Sequence, residues 1–256
     1  EGRSVVVNDR ALDTTRDSNR TLNYTMTHTV HPYSHRLGII RDWKSRWFGG
    51  KEKYRDFLRG DIVIRRLLER ELRGQFVNSV EIERGEKELR VIIESSRPGM
   101  IIGRNGEGSA RLKGLVTQSL VKEGLISDEE VKIDIREVRS PESAAAIVAQ
   151  MIADGLEKRL PFRRVAKQTI EKVMANRDVK GVRLELAGRL GGADMARREK
   201  LMKGRVPLQT FRADVDYAHH EARLPYGYLG IKVWIYRGEI FEEDEKDRQK
   251  KKHSMK

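Results

Sequence analysis

Three stretches of this chain bring together side chains capable of chemistry. Asp214, Asp216, His219, His220 and Glu221 crowd carboxylates and imidazoles into one short segment. Such a set can hold a divalent metal that activates water, as a nuclease requires. If the segment is extended, Asp214, Asp216 and His220 share one side of it, because alternate residues do. The second stretch is Gly103-Arg104-Asn105-Gly106. Glycines there let a nucleic-acid backbone approach the main chain with no Cβ in the way. A helix starting just after them offers free N–H groups and a positive dipole end to a phosphate. The third stretch holds Arg163, Arg164 and Lys167. At ~100° per residue these cations fall within about a 100° arc of one helix, which suits a row of phosphates. Each stretch has a plainer alternative: a solvated strand edge, a glycine turn between two helices, and an ordinary charged helix face.

The elements that must position these residues are readable in outline. Apolar residues at helical spacing predict a helix over Lys51–Leu72, interrupted or bent at Gly60. Alternation predicts strands at Val77–Glu83 and Glu88–Ser95, joined by a turn at Arg84-Gly85-Glu86-Lys87. The glycine stretch follows, then an amphipathic helix from about Ser109 to Val121 and a strand around Val131–Val138. Ser140-Pro141 reads as an N-cap with proline at the first helical position, opening two helices, about Pro141–Arg159 and Pro161–Asn176. A strand at Gly181–Leu186, the glycine-rich Gly188-Arg189-Leu190-Gly191-Gly192, a short helix, and strands at Thr210–Arg223 and Leu229–Arg237 complete the pattern. Residues 1–35 read as a polar extended arm and residues 242–256 as a charged, solvated tail.

Composition narrows the partners. Lys and Arg number 52 against 39 Asp and Glu, for a formal charge of +13. Residues 141–241 hold nineteen basic and twelve acidic groups, so +7 of that +13 lies in this part alone. An excess of this kind suits a polyanion, nucleic acid before an anionic membrane. Aromatic residues are only 6%, too few for base stacking along the whole chain. With no cysteine there is no disulfide, no cysteine-zinc site and no thiol nucleophile. The sequence shows no apolar run long enough to span a bilayer and no secretory leader, which predicts an intracellular protein. The nucleotide-binding patterns G-x-x-x-x-G-K-[ST] and G-x-G-x-x-G after a strand do not occur.

Several motifs, in order, resemble one family. Gly103-Arg104-Asn105-Gly106, behind Arg97-Pro98-Gly99-Met100-Ile101-Ile102, is similar to the G-x-x-G loop of a KH module. It resembles in particular the loop of bacterial ribosomal protein S-three. Phe162-Arg163-Arg164-Val165-Ala166-Lys167, Gly188-Arg189-Leu190-Gly191-Gly192-Ala193 and Gly204-Arg205-Val206-Pro207-Leu208 resemble the C-terminal domain of that family. So do Arg212-Ala213-Asp214-Val215-Asp216-Tyr217 and Gly230-Ile231-Lys232-Val233-Trp234-Ile235-Tyr236.

The resemblance spans about Arg36 to Ile240. It implies an α+β chain of two domains with flexible termini: a type II KH domain at 36–139 and a mixed α/β domain at 140–241. It implies a structural place in the head of the small ribosomal subunit, in a cytoplasmic or organellar ribosome. The expected partners are 16S-type ribosomal RNA, messenger RNA and the neighbours S-ten, S-fourteen and S-two. Gly103, Arg104, Asn105 and Gly106 are then the RNA-binding loop, and Arg163, Arg164 and Lys167 line the messenger RNA entry channel and help unwind the message. Arg36, Arg189 and Arg205, inside the matching motifs, are expected as further RNA or assembly contacts. No catalytic residue, metal or cofactor is expected. The chain departs from the family pattern in the stretch of some thirty residues ahead of His31-Pro32-Tyr33-Ser34-His35-Arg36-Leu37-Gly38, and in a lengthened loop at Gly124-Leu125-Ile126-Ser127-Asp128.

Overall fold

A computed structural model describes residues 30–85, 88–125 and 130–241. Most of the N-terminal arm, Glu86 and Lys87 of the hairpin turn, residues 126–128 of the lengthened loop and the charged tail lie outside the described residues.

The first half builds one sheet and its helices. After a single turn, α1 (Pro32–His35), come β1 (Ser45–Arg46), α2 (Lys51–Glu71), β2 (Val77–Arg84) and β3 (Glu88–Ser95). They are followed by α3 (Pro98–Ile102), α4 (Glu107–Lys122) and β4 (Glu130–Glu137). The strands lie in the order β1-β2-β3-β4; β2 and β3 are antiparallel, while β3 and β4 run parallel. A parallel neighbour needs a crossover, and here α3 and α4 supply it. Helix α2 contributes Ile64 and Leu68, with Leu72 at its C-cap, and α4 contributes Leu112, Val116 and Leu120. Four-residue spacing puts each trio on one face, against Ile82, Leu89, Val91, Ile93 and Val131 of the strands. Burying such a side chain is worth about 1.5–3 kcal/mol, far more than helix propensity supplies per residue. Packing therefore carries α2 straight through Gly60. A Cβ at Gly60 would meet the Arg84 guanidinium at 3.3 Å and Leu120 at 3.6 Å, so the missing side chain lets these neighbours close in.

The second half packs two helices on an antiparallel sheet. Helices α5 (Ala145–Glu157) and α6 (Phe162–Ala175) cover one face of β5 (Gly181–Gly188), β6 (Arg197–Gly204), β7 (Ala213–Leu224) and β8 (Gly227–Glu239). The strand order is β6-β5-β8-β7. Val182, Leu184 and Leu186 of β5 and Ile231, Val233 and Ile235 of β8 face the helices. On the far face Trp234 and Tyr236 form a smaller cluster with Ala213, Val215, Val206 and Leu208.

Two expected local structures differ. A 3-10 turn, Leu190–Gly192, closes the glycine-rich segment, and where a short helix is expected after it the chain runs as the edge strand β6. Ser140-Pro141 opens only a 3-10 turn, Pro141–Ser143. Helix α5 starts at Ala145, whose N–H donates to the Asp216 carboxylate at 2.8 Å. The cap comes from β7, so no local sequence signal announces it.

The two halves are tied by side chains. Phe76 and Val138 pack with Ala144 and Ile147. The Gln150 amide donates to the Val77 carbonyl at 2.9 Å, and Arg73 pairs with Glu157 at 2.8 Å.

Candidate nucleic-acid interface

The glycine loop is set by its backbone. Gly103 (φ +70), Asn105 (φ +52) and Gly106 (φ +82) all take left-handed φ, within the four residues between α3 and α4. Glycine adopts this region without strain, and asparagine is among the few other residues that tolerate it. Gly103, Arg104 and Asn105 are exposed, and Ser109 Oγ donates to the Gly106 carbonyl at 2.8 Å, closing the loop. The loop thus shows its main chain to solvent at the N-terminus of a 16-residue helix. Arg104 has no ion-pair partner among the described residues. The Gly103 N–H already donates to the Gly99 carbonyl at 3.0 Å, and Glu107 at the first helical position offsets part of the positive dipole end, leaving Arg104 and the main chain beyond Gly103 as the attraction for phosphate.

Two features of the loop exceed what the tetrapeptide shows. Met100 and Ile102 of α3 are 59% and 39% exposed, giving an apolar platform beside the glycines on which bases can lie. Gly108 is needed by packing: a Cβ there would sit 2.3 Å from the Ile101 carbonyl oxygen and 2.9 Å from that of Ile102. Gly108→Ala is accordingly expected to cost about 1–3 kcal/mol of stability by forcing α3 and α4 apart. Thermal unfolding checks this, and an unchanged melting temperature would show that the helices can separate at no cost.

Helix α6 holds the second basic group. Val165, Ala166, Ile170 and Val173 are buried against the sheet, and Arg163, Arg164 and Lys167 project to solvent. The sequence shows only Glu171 nearby, yet an acid reaches the cluster from a neighbouring strand. Arg163 donates to Glu199 of β6 at 3.1 Å, and Arg197 approaches the same carboxylate at 3.5 Å. The Glu199 hydrogen bond raises the Arg163 pKa above its ordinary value. Both guanidiniums flank the Phe162 ring, at 5.6 and 5.7 Å. Arg164 and Lys167 have no ion-pair partner among the described residues. Arg163 and Arg197 thus share the Glu199 carboxylate, and Arg197 extends the basic surface of Arg163, Arg164 and Lys167 from α6 onto β6.

The remaining expected contacts separate. Arg36 is fully buried. Its guanidinium donates to the carbonyls of Ala213 (2.6 Å), Pro32 (3.0 Å), Leu208 (2.9 Å), Thr210 (2.9 Å) and Pro207 (3.3 Å). With its donors used on main-chain oxygens and no exposed surface, Arg36 is a structural staple, which corrects the expectation of an RNA contact. Arg189 donates to the Ala193 carbonyl at 2.9 Å and lies near Tyr226 and Asp194, so it mainly holds its own loop. Arg205 is exposed.

The Asp214–Glu221 segment does not form a metal centre. Asp214 pairs with Arg41 at 2.6 Å and lies 4.0 Å from Arg237; Asp216 caps α5 and pairs with Arg237 at 3.0 Å. A β-bulge between Asp214 and Val215 breaks the simple alternation. His220 is half-buried, and its pKa is lowered first by that burial and then by Arg73. Among the described residues no group of three or more His, Cys, Asp or Glu is placed to hold a metal ion. Asp214 and Asp216 hold the fold together by pairing with arginines.

A helix-strand-strand-glycine loop-helix-strand unit with two parallel neighbours, joined to a basic second domain, defines an RNA-binding protein of the KH type. The KH domain family matches residues 63–143, and the family described as ribosomal protein S3, C-terminal domain, matches residues 152–235. The small ribosomal subunit protein uS3 of Parvibaculum lavamentivorans is 45% identical over 219 residues, covering 86% of this chain and 89% of the relative. That of Ruegeria sp. (strain TM1040) is 44% identical over 230 residues, covering 90% and 93%. That of Streptococcus mutans is 43% identical over 215 residues, covering 84% and 95%. This chain belongs to the ribosomal protein S3 family.

Proposed function

We propose that the chain is a non-enzymatic constituent of the small-subunit head, holding 16S-type ribosomal RNA through its glycine loop and contacting incoming messenger RNA through α6. The observation that carries the RNA reading is the exposed left-handed backbone from Gly103 to Gly106, beside an apolar platform and at the start of a long helix. That arrangement suits a strand whose phosphates approach main-chain N–H groups while its bases lie on α3. Arg163, Arg164 and Lys167, with Arg197, supply the charge expected of a surface that grips a moving strand at the entry channel without reading its sequence. The division at residues 36–139 and 140–241 is part of this proposal. So are S-ten, S-fourteen and S-two as neighbours, and a ribosome of the cytoplasm or an organelle as the setting.

The loop is tested by Gly103→Asp, which adds a side chain at φ +70 where a Cβ would already be 3.1 Å from the Gly108 nitrogen, and adds negative charge facing the phosphates. RNA affinity is expected to fall about tenfold, the equivalent of losing one or two phosphate contacts. Anisotropy titration of labelled RNA measures it. A folded variant with wild-type affinity would remove the loop from the interface.

A further inference from the structure

We propose that the cleft between the ends of β5, β6 and β8 is a phosphate-binding site for RNA, built around Lys180 and Arg205. The cleft has a volume of about 330 Å³ and is lined by Lys180, Arg205, Pro207, Thr210, Tyr236 and Glu239. That is the low end of the ~300–1,000 Å³ typical of ligand sites and ample for one phosphodiester group.

The two cations are forced together by the backbone. Gly181 pairs with Gly204 in the β5–β6 ladder, so Lys180 and Arg205 follow as the next cross-strand neighbours. The approach there is one that only glycine permits. A Cβ at Gly181 would lie 2.0 Å from the Arg205 carbonyl oxygen, and one at Gly204 would lie 2.4 Å from that of Lys180. Lys180 is held from its other side as well: its N–H donates to the Tyr236 carbonyl at 2.8 Å. Its side chain lies across Gly238, where a Cβ would be 3.1 Å from Nζ. Like charges set opposite each other across a ladder destabilise a sheet unless something anionic lies between them. Among the described residues neither cation has an ion-pair partner. The one carboxylate of the cleft, Glu239, is taken by Arg212 at 2.6 Å. An ammonium and a guanidinium lining one cleft suit the oxygens of a phosphodiester. This inference rests on the RNA-binding reading and adds a site remote in sequence from both the glycine loop and α6.

The test is an anisotropy titration of the full chain with a fluorescein-labelled, mixed-sequence RNA hairpin over a series of salt concentrations. It compares wild type, Lys180→Ala/Arg205→Ala, and a control, Lys122→Ala/Lys158→Ala, which removes equal charge from exposed helix ends. Both cations of the cleft are exposed, so the variant is expected to fold. The pair in the cleft is expected to lower the slope of log affinity against log salt by about 2, at about 1 per phosphate-contacting cation, with the control changing it much less. A wild-type slope in the cleft variant, or an equal fall in the control, overturns this inference alone. Failure of wild type to bind the hairpin removes the RNA reading and this inference with it.

Discussion

Replacing Arg36 with alanine is expected to lower the unfolding free energy by about 3–5 kcal/mol, because several main-chain acceptors lose one charged donor together. The side chain has no exposed surface and joins three separate stretches of main chain, at Pro32, at Pro207–Thr210 and at Ala213. Removing it leaves the buried acceptors at Pro32 and Ala213 unpaired and those at Pro207–Thr210 short of a donor, and each buried unpaired group costs about 1–3 kcal/mol before relaxation. Arg36→Lys is expected to recover only part of the loss, because an ammonium cannot span acceptors laid out for a planar fork. Urea unfolding followed by far-ultraviolet circular dichroism measures both. A loss below about 1 kcal/mol for the alanine variant would show that water replaces the guanidinium freely.

Reversing Arg163, Arg164 and Lys167 to glutamate is the second large effect. Three lost phosphate contacts at ordinary salt correspond to a fall in RNA affinity on the order of 100-fold, before repulsion is added. Stability is expected to change little. The three side chains are exposed, and the Arg163–Glu199 pair, with its arginine 68% exposed, belongs to the class of surface pairs worth about 0–1 kcal/mol. Ribosomes carrying the variant are expected to slow on messages with stable hairpins and to keep normal rates on unstructured ones. Equal rates on both messages would take these residues out of the entry channel while leaving a role in ribosomal RNA binding to be read from affinity.

What the sequence made legible follows from where each signal resides. The trios Ile64, Leu68, Leu72 and Leu112, Val116, Leu120 declare α2 and α4, because core packing writes a four-residue period into the chain. Strand β6 stayed hidden as a strand for the opposite reason. It is a sheet edge, only Glu199 and Leu201 along it are partly buried, and no alternating apolar pattern forms. Missing that strand also hid Arg197 and Glu199 beside the basic helix. The glycine loop could be placed from spacing, but the demand on Gly108 depends on how close α3 lies. Arg36 resembles a surface cation in sequence; its burial depends on carbonyls some 170 positions away. The Asp216 cap on α5 is likewise a long-range contact. Local pattern carries the elements here, and tertiary contacts decide which charged groups face RNA and which hold the fold.

The most direct test of the account is sedimentation of the tagged chain from lysate, with and without ribonuclease, followed by sequencing of the RNA that travels with it. A constituent of the small-subunit head is expected to migrate stoichiometrically with the small subunit, carrying 16S-type RNA, and to collapse to a slow fraction after digestion. A slow-sedimenting pool bound to scattered messengers before digestion would contradict this role and point to a free-standing regulator of messenger RNA.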